Sequence, residues 1–316
     1  MKLSKGSKIY LAGHRGMVGS AIYKKLLQNN YTNIIVTKKK KLDLIKQRET
    51  FNFLKKIKPD LVIIAAARVG GIYANQKYKD RFIYENLQIQ NNLIHGSFKA
   101  GVKNLIFLGS SCIYPKLSKQ PIKEKYLLSG KLEDTNDAYA IAKIAGIKMC
   151  ESYNEQYKTN YKCLMPTNTY GPNDKYNEIN SHFIPALIKK IHNIKIKKLN
   201  KLILWGDGSP KREVIYVEDI ARACLYFMNK RVKENVINIG TGIDYSIKSY
   251  AKKILKIILP NQKIKIKFDK SKPNGTPRKM LDVSLARKYG WKAVFNFDQT
   301  IIETYKSFLK ENKKKG

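Results

Sequence analysis

At 316 residues, 43% of them hydrophobic, the chain is long enough to bury one large or two ordinary cores, so it reads as globular. Its 62 basic and 24 acidic residues give a formal charge of +38, which raises the question of a nucleic-acid or membrane-surface partner. The distribution argues against a specific nucleic acid: lysines run through nearly every segment beside isoleucine and asparagine, as AT-rich codons would produce, and no recognition helix or stacking-aromatic motif gathers them. Only Lys38 to Lys41 and the Lys313 to Gly316 tail form basic blocks, so the charge predicts nonspecific polyanion binding at low salt.

In chain order, Lys8 to Ala12 reads as a short buried strand, and Gly13-His14-Arg15-Gly16-Met17-Val18-Gly19 leads from it into a helical stretch, Ser20 to Gln28. Glycines at that spacing permit a tight turn, let the backbone approach a pyrophosphate, and allow the helix to pack on the strand with its first amides toward the anion. The second strand falls at Asn33 to Thr37. Where an acid would bind a ribose hydroxyl, the chain has Lys38-Lys39-Lys40-Lys41, cations that suit a 2'-phosphate; NADPH is expected over NADH. Lysine is abundant throughout, so the missing acid carries more of this expectation than the lysines do.

Further short apolar runs follow at Leu61 to Ala66, Leu105 to Leu108 and Tyr161 to Met165, alternating with helical patterns. The alternation predicts an α/β fold, a Rossmann-type doubly wound parallel sheet with ligands at the strand ends. Beyond Pro166 the pattern turns irregular: a turn at Gly171 to Asp174, a helix-like stretch at Ile184 to Ile194, and a loop from Trp205 to Pro210. Asn238 to Gly242, after another apolar run, is placed back in the main sheet. The expected division is a cofactor domain over 1–168 with a return segment at about 213–243, and a smaller substrate domain over 169–212 and 244–316.

Gly109-Ser110-Ser111-Cys112 closes the Leu105 strand, and Tyr139 and Lys143 stand four residues apart. On a helix they share one face, so the ammonium is expected to lower the phenol's pKa from its usual value of about 10 and make a proton donor for a carbonyl. Cys112, Cys150, Cys163 and Cys224 show neither metal spacing nor disulfide-scaffold density, so no metal is expected. No stretch resembles a signal peptide or a membrane span. A reducing cytoplasm is the expected setting.

The glycine turn, the GSS strand end and YxxxK together resemble the extended short-chain dehydrogenase/reductase family, whose members act on nucleotide sugars. GHRGMVGSAI, AAARVGGI, LGSSCIYPK, YAIAKIAGIKMCESYN, PTNTYGPND, NSHFIPAL and SKPNGTPRK narrow the resemblance to its GDP-L-fucose synthases, over nearly the whole chain. That resemblance implies NADPH-dependent epimerisation of a GDP-4-keto-6-deoxy sugar at carbons 3 and 5, reduction at carbon 4, and a homodimer. It assigns Ser110 and Tyr139 as donors to the carbonyl, and Lys143 as a support for the tyrosine and the nicotinamide ribose. Cys112 and His182 become the base and acid of epimerisation, although alone each would read as an ordinary packed or surface residue.

For the cofactor, the resemblance implies residues Gly13 to Gly19, Lys38, Lys39, Leu108, Gly109, Ser110, Ser111, Lys143, Pro166, Thr167, Asn168, Thr169 and His182. It also implies that Trp205, Arg212 and Lys279 meet the GDP moiety, with Lys190 and Asn274 where the family commonly has arginine and aspartate. Lysine there lacks the planar fork, and asparagine lacks the anion that would accept from guanine. A related 4-epimerase or 4,6-dehydratase remains the alternative, but a dehydratase would carry Asp-Glu where Ser111-Cys112 stands. A noncatalytic polyanion binder would have no need of Ser110, Tyr139 and Lys143 together.

Overall fold

The computed structural model describes residues 3–177, 181–272 and 274–313. Asn180 of the NSH motif, Pro273 of the SKPNG motif and 314–316 of the basic tail lie outside them. The first half runs β1 (Ile9–Ala12), α1 (Met17–Gln28), β2 (Ile34–Ile35), α2 (Gln47–Ile57), β3 (Leu61–Ile64), α3 (Ile72–Lys77), α4 (Lys79–Lys99), β4 (Asn104–Leu108), α5 (Asp137–Tyr157) and β5 (Asn160–Pro166). The second half runs β6 (Asn168–Tyr170), α6 (Phe183–Ile196), β7 (Lys201–Trp205), β8 (Lys211–Tyr216), α7 (Val217–Asn229), β9 (Val236–Ile239), β10 (Asp244–Ser246), α8 (Ile247–Ile258), β11 (Lys265–Asp269), β12 (Arg278–Lys279), α9 (Ser284–Lys288) and α10 (Phe297–Lys313).

Six strands form one parallel sheet in the order β2-β1-β3-β4-β5-β9. The apolar runs are uninterrupted because both faces of this sheet are covered. Tyr10, Val62, Ile64, Leu105, Phe107, Tyr161 and Cys163 point into one core, while Ile9, Leu11, Leu61, Ile63, Ile106 and Leu164 point into the other. On one side α4 packs along α5, and on the other α1 packs along α7. The doubly wound sheet expected from sequence is the one observed, with β9 as the returning strand. Its order reverses at β1, so the crevice outside the ends of β1 and β3 is where such a sheet binds ligands.

Two strands are shorter than expected by two residues or more. Only Ile34 and Ile35 of the second strand pair with β1. The third strand ends at Ile64, because Ala65 and Ala66 leave the sheet to pack against the Gly13 turn. The remaining elements build a third core from α6, α8 and α10 around small sheets: β8 pairs with β6, β10 and β12, and β7 pairs with β11. Among the described residues, no helix is long and apolar enough to cross a membrane.

Candidate active site

The glycine turn is built around two contacts that no side chain would survive. Gly13 sits at φ +89° with an added Cβ 2.6 Å from the Ala66 amide, and a Cβ on Gly19 would overlap the Gly13 carbonyl. Helix α1 therefore lies directly on the turn. Gly16 differs: a Cβ there would meet only the Gly13 carbonyl, at 3.6 Å, so the backbone above it is open to a ligand. It is also the extended N-cap of α1, with no side-chain cap and no acid in the first helical turn. The first amides of α1 have no intrahelical acceptors, which leaves them for an anion. Met17 and Val18 turn inward to pack on the cores.

Burial, followed by the charges of Arg15 and Lys38, holds the His14 imidazole below its ordinary pKa. Lys38 thus shares its field with the turn, while Lys38 to Lys41 are exposed. The first acid after β2 is Asp43, whose carboxylate accepts the Ile45 amide at 3.3 Å. An open glycine, free helix amides and clustered cations make a cradle that fits a phosphorylated dinucleotide.

At the end of β4, Ser110 caps a short 3-10 turn, Ser111–Ile113, and its Oγ accepts the Cys112 amide at 3.2 Å. Helix α5 brings Tyr139 and Lys143 onto the same face below it. The expected depression of the Tyr139 pKa is not observed. Burial pushes the phenol above its ordinary value, the Cys112 charge adds to the rise, and a hydrogen bond with Ser110 only partly offsets it. Lys143 is directed elsewhere: its Nζ donates to the Leu108 carbonyl at 2.8 Å and lies 4.6 Å from the Phe107 ring centroid and 5.9 Å from that of Tyr139. Burial pushes its own pKa down to about 8.

The second half of the chain delivers the other face. Lys279 of β12 donates to Cys112 Sγ at 3.3 Å. Burial alone would raise the Cys112 pKa, but the Lys279 charge, the Ser110 and Lys279 hydrogen bonds and the Arg212 charge together bring it below the ordinary thiol value. His182, the N-cap of α6, keeps an exposed surface; the protein packed around it and the Lys279 charge hold its pKa below the ordinary value. Lys279 thus favours a thiolate on one side and, second to burial, the neutral imidazole on the other.

Trp205, 54% exposed at the end of β7, has Lys190 Nζ 5.9 Å from its ring centroid, and Lys190 also donates to the Ile203 carbonyl at 3.3 Å. Asn274 Oδ1 accepts the Asp207 amide at 2.8 Å, so this acceptor is engaged in tying two loops together. Arg212 donates to the Thr276 carbonyl at 2.6 Å beside this group. Pro166 ends β5; Thr167 and Asn168 donate to the Glu213 carbonyl at 3.3 and 2.9 Å, and Thr169 to the Thr167 carbonyl at 3.0 Å.

Sequence reasoning missed two supports. Glu133 accepts from Thr276 at 3.2 Å and pairs with Lys116, and its charge steadies Arg212; an acid in a loop carried no signal. Arg68 lines a cavity of about 600 Å³ with Tyr73, Lys77, Phe82 and Lys175, and Phe82 meets the Tyr139 ring edge-on at 6.4 Å. An arginine directly after the apolar run from Leu61 to Ala67 was the available signal.

Residues 9–240 match the profile of the NAD dependent epimerase/dehydratase family. A GDP-L-fucose synthase of Sinorhizobium fredii is 47% identical over 309 residues, 98% of each chain. A GDP-6-OMe-4-keto-L-xylo-heptose reductase from C. jejuni superposes with a TM-score of 0.90 at 34% identity, covering 99% of this chain and all of that one. A GDP-L-fucose synthetase from Naegleria fowleri bound to NADP gives a TM-score of 0.88 at 25% identity, covering 99% of this chain and 97% of its own.

Proposed function

Because the chain belongs to the NAD dependent epimerase/dehydratase family, we infer that it is an NADP-dependent epimerase-reductase that converts GDP-4-keto-6-deoxy-D-mannose to GDP-L-fucose. The supporting observation is the meeting of Ser110, Cys112, Tyr139, His182 and Lys279 at the end of β4, in a chain so similar to a GDP-L-fucose synthase. Residues 13–19, Lys38 and Lys39 hold the pyrophosphate and 2'-phosphate; Leu108 to Ser111, Lys143, Pro166 to Thr169 and His182 hold the nicotinamide end. Residues 1–168 and 213–243 form this cofactor domain. The substrate domain, 169–212 and 244–316, presents Lys190, Trp205, Arg212, Asn274 and Lys279 to the GDP. A cytoplasmic homodimer completes the assignment.

Protons beside a ketone are acidic because the enolate is stabilised by donors at its oxygen. Ser110 and Tyr139 are those donors. Cys112 removes the proton on one face at carbons 3 and 5, and His182 supplies one on the other. Bound NADPH supplies the hydride for carbon 4. Tyr139, whose high pKa keeps its proton in place until the oxygen becomes basic, then protonates that oxygen.

A second assignment, a 4-keto reductase without epimerisation, is favoured by the likeness to the C. jejuni reductase. Supplying GDP-4-keto-6-deoxy-mannose with NADPH, following the nicotinamide absorbance and identifying the product distinguishes the two. With NADP in place of NADPH in heavy water, the wild type should take up deuterium at carbons 3 and 5, and Cys112→Ala should not. Wild-type uptake in that variant would refute Cys112 as the base.

A further inference from the structure

We propose that Lys279 is a positioning residue for Cys112, holding it as the reactive thiolate through the hydrogen bond from its ammonium to Sγ. The inference deepens the assignment of Cys112 as base, and only its catalytic meaning rests on that assignment. Parallel pairing of β12 with β8 sets Lys279 beside Arg212 on one face, while its neighbour Arg278 points the other way to Asp244 at 2.6 and 3.2 Å. Strand β12 is in turn fixed to the segment that follows Cys112. Ile122 N donates to the Met280 carbonyl at 2.8 Å, and Met280 N to Gln120 Oε1 at 2.9 Å. The loop that carries the thiol and the strand that carries the ammonium are therefore fastened together before any substrate arrives.

The groups around the thiol are Ser110 from its own turn, Tyr139 from α5, Lys279 from β12 and Arg212 from β8, with His182 facing Lys279 from the start of α6. Two of these are cations, and the Glu133 charge acts on Arg212. Lys279 is the cation in direct contact, so the thiol should respond chiefly to it.

Alkylation tests this on the intact enzyme without substrate or cofactor. The other cysteines, Cys150, Cys163 and Cys224, are buried, so a small neutral reagent such as iodoacetamide reads Cys112 alone, which peptide mass spectrometry verifies. The thiolate sulfur displaces iodide from carbon, and the rate follows the thiolate fraction as pH rises. The wild-type profile should turn over below about 8.5, the ordinary thiol value. Lys279→Met should move it up by about one unit, slowing labelling about tenfold near neutral pH, and Lys279→Arg should stay closer to wild type. A wild-type midpoint at or above about 8.5 would overturn the proposal even if no variant folds. So would an unmoved profile in Lys279→Met, or an arginine variant that behaves like the methionine one. Failure to make GDP-L-fucose would instead remove the proposed function and leave the labelling result standing.

Discussion

Two buried lysines meet the same physics in different parts of the molecule. Lys143 and Lys162 are 3% and 4% exposed, and each donates a single hydrogen bond of 2.8 Å to a main-chain carbonyl, Leu108 and Phe227 respectively. Burial pushes both down to about 8. Lys162 reaches from β5 to the Phe227 carbonyl of α7, away from the candidate site; Lys143 lies one helical turn from Tyr139, against the end of β4. A perturbed lysine therefore does not mark a site by itself, and what distinguishes the two is what stands next to the ammonium.

The largest contrast should be in rate. Lys143→Met is expected to lower turnover by about 10²–10⁴, and Lys162→Met to leave it near wild type, both read by NADPH oxidation with the keto sugar. Equal losses would erase the distinction. Tyr139→Phe should lower reduction as severely, with NADPH affinity by fluorescence titration nearly unchanged, because the ring packing remains.

Stability should not separate the lysines. A shift from about 10.4 to about 8 corresponds to about 3 kcal/mol of penalty on the charged form, and freeing the carbonyl returns about 1 kcal/mol. Each methionine variant should therefore gain about 2 kcal/mol in urea unfolding, and for Lys143 the gain would come at the expense of activity. The pH dependence follows with a definite sign. Below about pH 8 both states carry the protons and neither lysine contributes a slope. Between about 8 and about 10.4 the unfolded chain binds more protons than the native one, so native stability should rise with pH, and the double methionine variant should lose that rise.

The smallest effect belongs to lysines that are not buried. Lys38→Ala with Lys39→Ala should raise the KM for NADPH several-fold, change that for NADH little, and leave urea stability within about 0.5 kcal/mol. Equal effects on both cofactors would mean that these side chains do not read the 2'-phosphate.

The pairing of lysines also marks the limit of what the sequence revealed. The glycine turn was legible because strand, turn and helix are contiguous, and Gly13 and Gly19 report backbone contacts that admit no side chain. Tyr139 and Lys143 were legible as a helical pair, but the direction of the Lys143 ammonium was not, since it depends on the Leu108 carbonyl 35 residues away. Lys279 could be placed near the substrate only through resemblance. Its contact with Cys112 spans 167 residues and requires β12 to dock on the Gln120–Ile122 segment. Glu133 and Lys162 gave no signal, because an acid in a loop and a lysine in a strand are ordinary until their surroundings are known.

Alternation along β8 has a consequence for what this protein can tolerate. Arg212 faces the thiol, and the next residue, Glu213, is fully buried, accepting the Gly242 and Leu281 amides at 2.7 and 2.8 Å and the Thr241 hydroxyl at 3.3 Å. A slip of one residue in this strand would exchange the two side chains and place a carboxylate where the guanidinium stands. The bonds to Glu213 act as a reading-frame lock: they hold the strand in the one alignment that keeps negative charge away from Cys112. A single-residue insertion or deletion in β8 would thus set a carboxylate against the Lys279 ammonium at the thiol while leaving every residue of the cluster present in the sequence.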